Sequence, residues 1–127
     1  MSTNVLICDD SNLARKQVFR SLPESLSTHV QLAQNGQEAL EILRDKNIDI
    51  LFLDLTMPVI DGLGVLQALK DDNIELAVFV ISADVQPEMQ SRVMDLGAKA
   101  FLRKPVQLDI LNENLKTQSR FKGNGGG

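Results

Sequence analysis

Two hydrophobic periods alternate along the chain. Uninterrupted apolar runs fall at Val5–Cys8 (VLIC), Ile50–Leu53 (ILFL) and Ala77–Ile81 (AVFVI). Runs this short, rich in branched residues, fit strands covered on both faces, as in a parallel sheet. In "THVQLAQ" Val30 and Leu32 merely alternate with polar residues, which predicts an edge strand. A fifth short strand is predicted at Ala100–Arg103 (AFLR).

Helical spacing separates these runs. A first helix begins near Ser11, with Ala14 and Val18 toward the core. "NGQEALEILRD" gives a second, leaving the Asn35-Gly36 turn and carrying Ala39, Leu40 and Leu43. "GLGVLQALK" gives a third through Val65, Leu66 and Leu69. The fourth starts at Pro87, a residue suited to a first helical turn, runs through Met89, Val93 and Leu96, and stops at Gly97. Leu108, Leu111 and Leu115 mark a fifth. Five strands alternating with five helices imply an open, doubly wound α/β sandwich with right-handed crossovers.

Composition narrows the class. A chain of 127 residues, 43% hydrophobic and 24% charged, is large enough for one domain with a real core. Its net charge of −4 leaves no basic footprint for nucleic acid. No apolar run reaches the roughly 18 residues of a membrane span, and the start has no basic signal-peptide region. Cys8 is the single cysteine, so no internal disulfide forms; within VLIC it reads as a small core residue, and the expected compartment is a reducing cytoplasm. His29, the one histidine, reads as a surface residue. The domain is expected over residues 1–120, with 121–127 (ending GNGGG) as a flexible tail or the start of a linker.

"ICDDSN" poses the chemical question. Two adjacent carboxylates, Asp9 and Asp10, end what reads as a buried strand. Like charges repel, and an ionised carboxylate beside an apolar interior is unfavourable unless something positive meets it. Either the pair is solvated, or a cation belongs there. In an open parallel sheet the ligand site lies beyond the carboxyl ends of the strands. Those ends carry Asp9-Asp10, then Asp54, Ser82 and Lys104-Pro105. Singly, each has a structural explanation as a cap, turn residue or surface charge. Together they make three carboxylates, a hydroxyl and an ammonium on one rim. A hard divalent cation such as Mg²⁺ would remove the conflict among the carboxylates. Mg²⁺ plus lysine suits phosphoryl oxygens, and Asp54 could then be a nucleophile forming an aspartyl phosphate.

At these residues the sequence resembles a known family. "ICDD", "LFLDLTMPVIDG", "VISAD" and "FLRKP" are similar, in order and spacing, to the motifs of the CheY-like response-regulator receiver domain of two-component signalling. The resemblance implies a flavodoxin-like strand order 2-1-3-4-5. It implies that Asp54 is the phosphoacceptor, Asp10 a direct Mg²⁺ ligand, Asp9 a ligand acting through water, and Thr56 a backbone-carbonyl ligand. Ser82 and Lys104 would bond the phosphoryl group, and the peptide bond before Pro105 would be cis. Met57, Pro58, Asp61 and Gly62 would complete the turn after the acceptor strand, and Asp84 would face the pocket. Phe101 stands where receivers carry an aromatic switch residue, to be coupled to Ser82, with a permanently buried ring as the alternative.

The implied function is a switch and not an ordinary enzyme. A phosphoryl group would pass from a sensor histidine kinase or histidine phosphotransfer protein to Asp54. The face of the fourth helix, fifth strand and fifth helix would then control a downstream protein or fused output domain, with no direct contact to nucleic acid or membrane. A haloacid-dehalogenase-type phosphohydrolase would ordinarily carry a second acid where Thr56 stands, and a cap domain. A flavin-binding module would meet repulsion from the acidic rim and would lack Tyr or Trp for stacking.

Overall fold

Side chains alternate about the central strands and sort the apolar residues into two cores. In the computed structural model, which describes residues 3–57, 59–83, 86–106 and 111–113, the strands are β1 (Val5–Cys8), β2 (Val30–Ala33), β3 (Ile50–Asp54), β4 (Ala77–Ser82) and β5 (Ala100–Arg103). They form one parallel sheet in the order β2-β1-β3-β4-β5. Leu6, Leu51, Leu53, Val78 and Val80 point to one face; Val5, Ile7, Phe52, Phe79 and Ile81 point to the other. On the second face the Phe52 and Phe79 rings stack, with centroids 5.5 Å apart. Strands buried on both faces explain why these runs are continuous and not alternating.

The helices α1 (Asn12–Ser21), α2 (Gly36–Asp45), α3 (Gly62–Asp71) and α4 (Pro87–Asp95) connect the strands. Residues of α2, α3 and α4 cover the first face, and Val18 of α1 the second, where Leu111 is also buried. Residues 111–113 are helical; Leu108, Leu115 and the tail at 121–127 lie outside the described residues. Each start is chemically marked. Ser11, Asn35 and Asp61 cap α1, α2 and α3 by accepting the backbone N–H of Ala14, Glu38 and Gly64, and Pro87 opens α4. Gly97, at φ 103°, follows α4 in the left-handed region that glycine adopts without penalty.

The elements match the sequence reading closely, with small differences. β3 and β4 end at Asp54 and Ser82, the polar residues with which the sequence reading closes those strands, whereas β1 stops at Cys8, one residue before Asp9. Ala14 is only half-buried, and Leu32 on the edge strand β2 is exposed. A short 3₁₀ turn at Glu24–Leu26 has no counterpart in the reading. Among the described residues no helix is long and apolar enough to cross a membrane.

Candidate phosphoacceptor site

The sheet register sets Asp54 at the end of β3 beside Ile81 of β4, and Asp9 directly after β1, where its N–H still bonds to the Ala33 carbonyl. Both carboxylates are buried, while Asp10 is exposed. One oxygen from each of Asp9, Asp10 and Asp54 lies within 4.8 Å of the others. Lys104 arrives from the end of β5. Its Nζ lies 2.8 Å from Asp9 Oδ2 and 3.1 Å from Asp54 Oδ1. The Lys104 N–H donates to the Ser82 carbonyl, which fixes the end of β5 against the end of β4, and the Lys104–Pro105 bond is cis.

Electrostatics follow from this packing. Burial raises the pKa of Asp54 first, and the Asp9 charge raises it further, against the opposing pull of Lys104. Burial works to lower the pKa of Lys104, but its hydrogen bond to Asp9 and the charge of Asp54 outweigh that and raise it. The site is thus short of positive charge even with Lys104 in place. Its donors are all hard oxygens, converging at a point with one side, Asp10, open to solvent. Such a set suits Mg²⁺, which takes carboxylate oxygens and keeps several waters.

The structure brings together Asp9, Asp10, Asp54 and Lys104, all named from sequence. Ser82 is buried at the end of the neighbouring strand and lines a cavity of about 230 Å³ with Thr56, Met57, Leu63 and Met89. Thr56 is exposed on that rim. Phe101 is half-buried, pairs in register with Val80, and packs against the core on the α2–α4 side. Asp61 serves as the α3 cap; Pro58 and Asp84 lie outside the described residues. His29 is exposed and away from the cluster, beside Thr28. Cys8 is buried, and its thiol contacts the Asn35 carbonyl and Met57 Sδ at 3.4 and 3.3 Å. Burial, and then the carboxylates of Asp9 and Asp54, push that thiol up to about 12, so it is inert at neutral pH.

One participant escaped the sequence reading. Arg15 donates from Nη1 to the Asp9 carbonyl at 2.6 Å and from Nη2 to Asn12 Oδ1 at 3.2 Å. The available signal was directional: helical side chains lean toward the N-terminus, so an Arg in the first turn of α1 reaches back over the Asp9–Ser11 turn.

Comparison with known proteins decides the family. The sequence model of the response regulator receiver domain matches residues 5–116. The chain belongs to the response regulator receiver domain family. It is 35% identical over 117 residues to response regulator RR06 of Streptococcus pneumoniae, covering 92% of this chain and 53% of that protein. It is 34% identical over 120 residues to response regulator MprA of Mycobacterium ulcerans, covering 94% and 51%. The receiver chain therefore spans about half the length of the curated relatives it matches. Among solved structures, the CheX-CheY-BeF3-Mg²⁺ complex from Borrelia burgdorferi superposes with a TM-score of 0.84 at 30% identity, over 91% of this chain and 87% of that one. This receiver is accordingly a signalling domain of the two-component type, built on the doubly wound α/β fold.

Proposed function

We propose that this receiver takes a phosphoryl group onto Asp54 from the phosphohistidine of a sensor kinase or phosphotransfer protein, with Mg²⁺ at Asp9, Asp10, Asp54 and the Thr56 carbonyl. The observation that carries the reading is the pairing of buried Asp54 with Lys104 inside a three-carboxylate cluster. Bound Mg²⁺ would supply charge neutralisation for the carboxylates and for the incoming phosphoryl oxygens. An Asp54 oxygen forms the new bond to phosphorus as the P–N bond breaks. The electron pair returns to the imidazole nitrogen, which takes a proton from solvent. Lys104 then exchanges its contact with Asp54 for one with the phosphoryl group, and the Ser82 hydroxyl donates to the same group.

That exchange supplies the switch. Ser82 drawn toward the phosphoryl group would alter its packing beside β5, and Phe101 would move inward, so a local bond biases a two-state aromatic side chain. The readout face is α4, β5 and the segment after it, with Met89 half-buried and Met94 exposed as adaptable contacts. Its partner is a target protein or a fused output domain in the cytoplasm, with no direct contact to nucleic acid. The test is chemical. Acetyl phosphate or phosphoramidate with Mg²⁺ should add one base-labile phosphate, and borohydride trapping with mass spectrometry should place it on Asp54. Normal labelling of Asp54→Asn would sink the reading.

A further inference from the structure

The turn between β1 and α1 must present Asp10 while keeping Asp9 occupied. Asp9 is held at every polar atom: its N–H bonds to Ala33, Oδ1 accepts the Ser11 N–H at 2.9 Å, and Oδ2 meets Lys104. Its carbonyl, just past the end of the sheet ladder, accepts the Arg15 guanidinium, whose other arm bonds Asn12. The Asp9 carbonyl and the Asp10 nitrogen share one rigid peptide plane. The Ser11 N–H, held by Asp9 Oδ1, belongs to the next plane, so with that carbonyl also fixed by Arg15 both peptide planes around Asp10 are set, and with them the direction in which its side chain leaves the backbone. Exposed Asp10 lacks the buried packing that orients Asp9 and Asp54.

We propose that Arg15 is a positioning residue of the cation site: its planar fork locks the Asp9–Asp10 peptide so that Asp10 faces the point where the three carboxylates converge. This rests on the reading of that cluster as a Mg²⁺ site. The proposal has a sign that sets it apart from simple electrostatics. A guanidinium beside an acidic cluster repels a cation, so if Arg15 acted through charge alone, removing it would tighten Mg²⁺ binding. If it acts by positioning, removing it weakens binding although a repelling charge is lost. Lysine keeps the charge but has no planar fork, so it would not restore the geometry.

The experiment titrates Mg²⁺ into the whole chain by calorimetry, with the Asp10 and Ser11 amide shifts as a second readout. The sequence has no Trp or Tyr, so intrinsic fluorescence would not report the site. Arg15→Met and Arg15→Lys should each weaken Mg²⁺ affinity roughly 10-fold, the scale seen when a partner of a metal ligand is removed. In an Asp10→Asn background the same changes should matter by roughly 2-fold or less, because Arg15 acts through Asp10. Melting curves in EDTA check that each variant is folded; if Arg15→Met is not, Arg15→Lys decides. Unchanged or tighter binding in the folded Arg15 variants overturns the proposal, and so does an equal loss with and without Asp10. No saturable Mg²⁺ binding by the wild type would instead sink the cation reading on which it rests.

Discussion

Three ion pairs of nearly equal length sit at opposite ends of the strands, one at the amino end and two, sharing a lysine, at the carboxyl end. At the amino end Arg44 Nε lies 2.9 Å from Asp72 Oδ2, with side chains 55% and 40% exposed. At the carboxyl end Lys104 meets Asp9 and Asp54 at 2.8 and 3.1 Å, with the two carboxylates only 4% and 6% exposed. Distance alone would rank these pairs together. Burial separates them. Water and salt already satisfy Arg44 and Asp72, so their contact adds little. The carboxylates of Asp9 and Asp54 have lost water and outnumber their counter-ion, so Lys104 is needed and still insufficient. One end of the sheet carries charges that solvent already satisfies, the other a surplus of buried carboxylate.

The largest break in this contrast should come from Lys104→Met. Without metal it leaves buried carboxylates with no cation and should lower stability by on the order of 3 kcal/mol at neutral pH. The loss should persist in high salt and shrink in acid, where Asp54 is protonated; urea unfolding across pH measures both. A loss that 1 M NaCl abolished would make Lys104 an ordinary surface charge.

Asp54→Asn should move stability the other way. Because burial and then Asp9 raise the Asp54 pKa, the folded state holds that proton more tightly than the unfolded chain. Stability therefore falls as pH rises through the window between the ordinary value of 3.8 and the raised folded value. The neutral amide escapes that fall. Metal-free Asp54→Asn should be more stable than wild type at pH 7, and show no gain near pH 3. Mg²⁺ should close the gap by stabilising the wild type more. A variant less stable than the wild type in EDTA would mean that the Lys104 contact outweighs the repulsion.

The backbone repeats the contrast on a smaller scale. Two residues other than glycine adopt positive φ among the described residues: Val59 at 71°, on the loop after β3, and Asn73 at 56°, after α3 at the opposite end. Asparagine visits this region readily, whereas a β-branched side chain is strained there. Val59 is also 75% exposed, so packing does not explain the choice. Val59→Asn should stabilise by about 1 kcal/mol, and Asn73→Gly should change stability by less than about 0.5 kcal/mol, both read from denaturant midpoints. Equal effects would remove the distinction between the two ends. The smallest effect belongs to Arg44→Ala, expected within about 0.5 kcal/mol and nearer zero in 1 M NaCl.

Much of this was legible in the sequence, for identifiable reasons. Residues buried on both faces must be apolar throughout, so β1, β3 and β4 announced themselves. Asp9, Asp10, Asp54, Ser82 and Lys104 were readable because strand ends in a parallel sheet share one rim. Arg15 was not, since its partner is a backbone carbonyl, which has no letter in a sequence. Val59 escaped for a related reason: side-chain identity says nothing of a φ imposed by the surrounding loop. The Lys104–Asp9 contact was also hidden, because Lys104 was read as a partner for phosphate and its resting partner depends on which neighbours are buried.

Gly62 offers a last consequence, in mechanical terms. A Cβ there would sit 2.6 Å from the Asp54 carbonyl oxygen and 2.8 Å from Leu55 Cα, and the Gly62 N–H bonds to the Leu55 carbonyl at 2.9 Å. The connection between β3 and α3 is thereby pinched together at its base, and the first residue of α3 rests on the backbone of Asp54. Asp54 is thus mounted on a bracket of strand and helix, while the loop beyond it rests through Ile60 on Gly36 at the start of α2. Any side chain at position 62 would have to push the end of β3 and the start of α3 apart, and Asp54 would move with them.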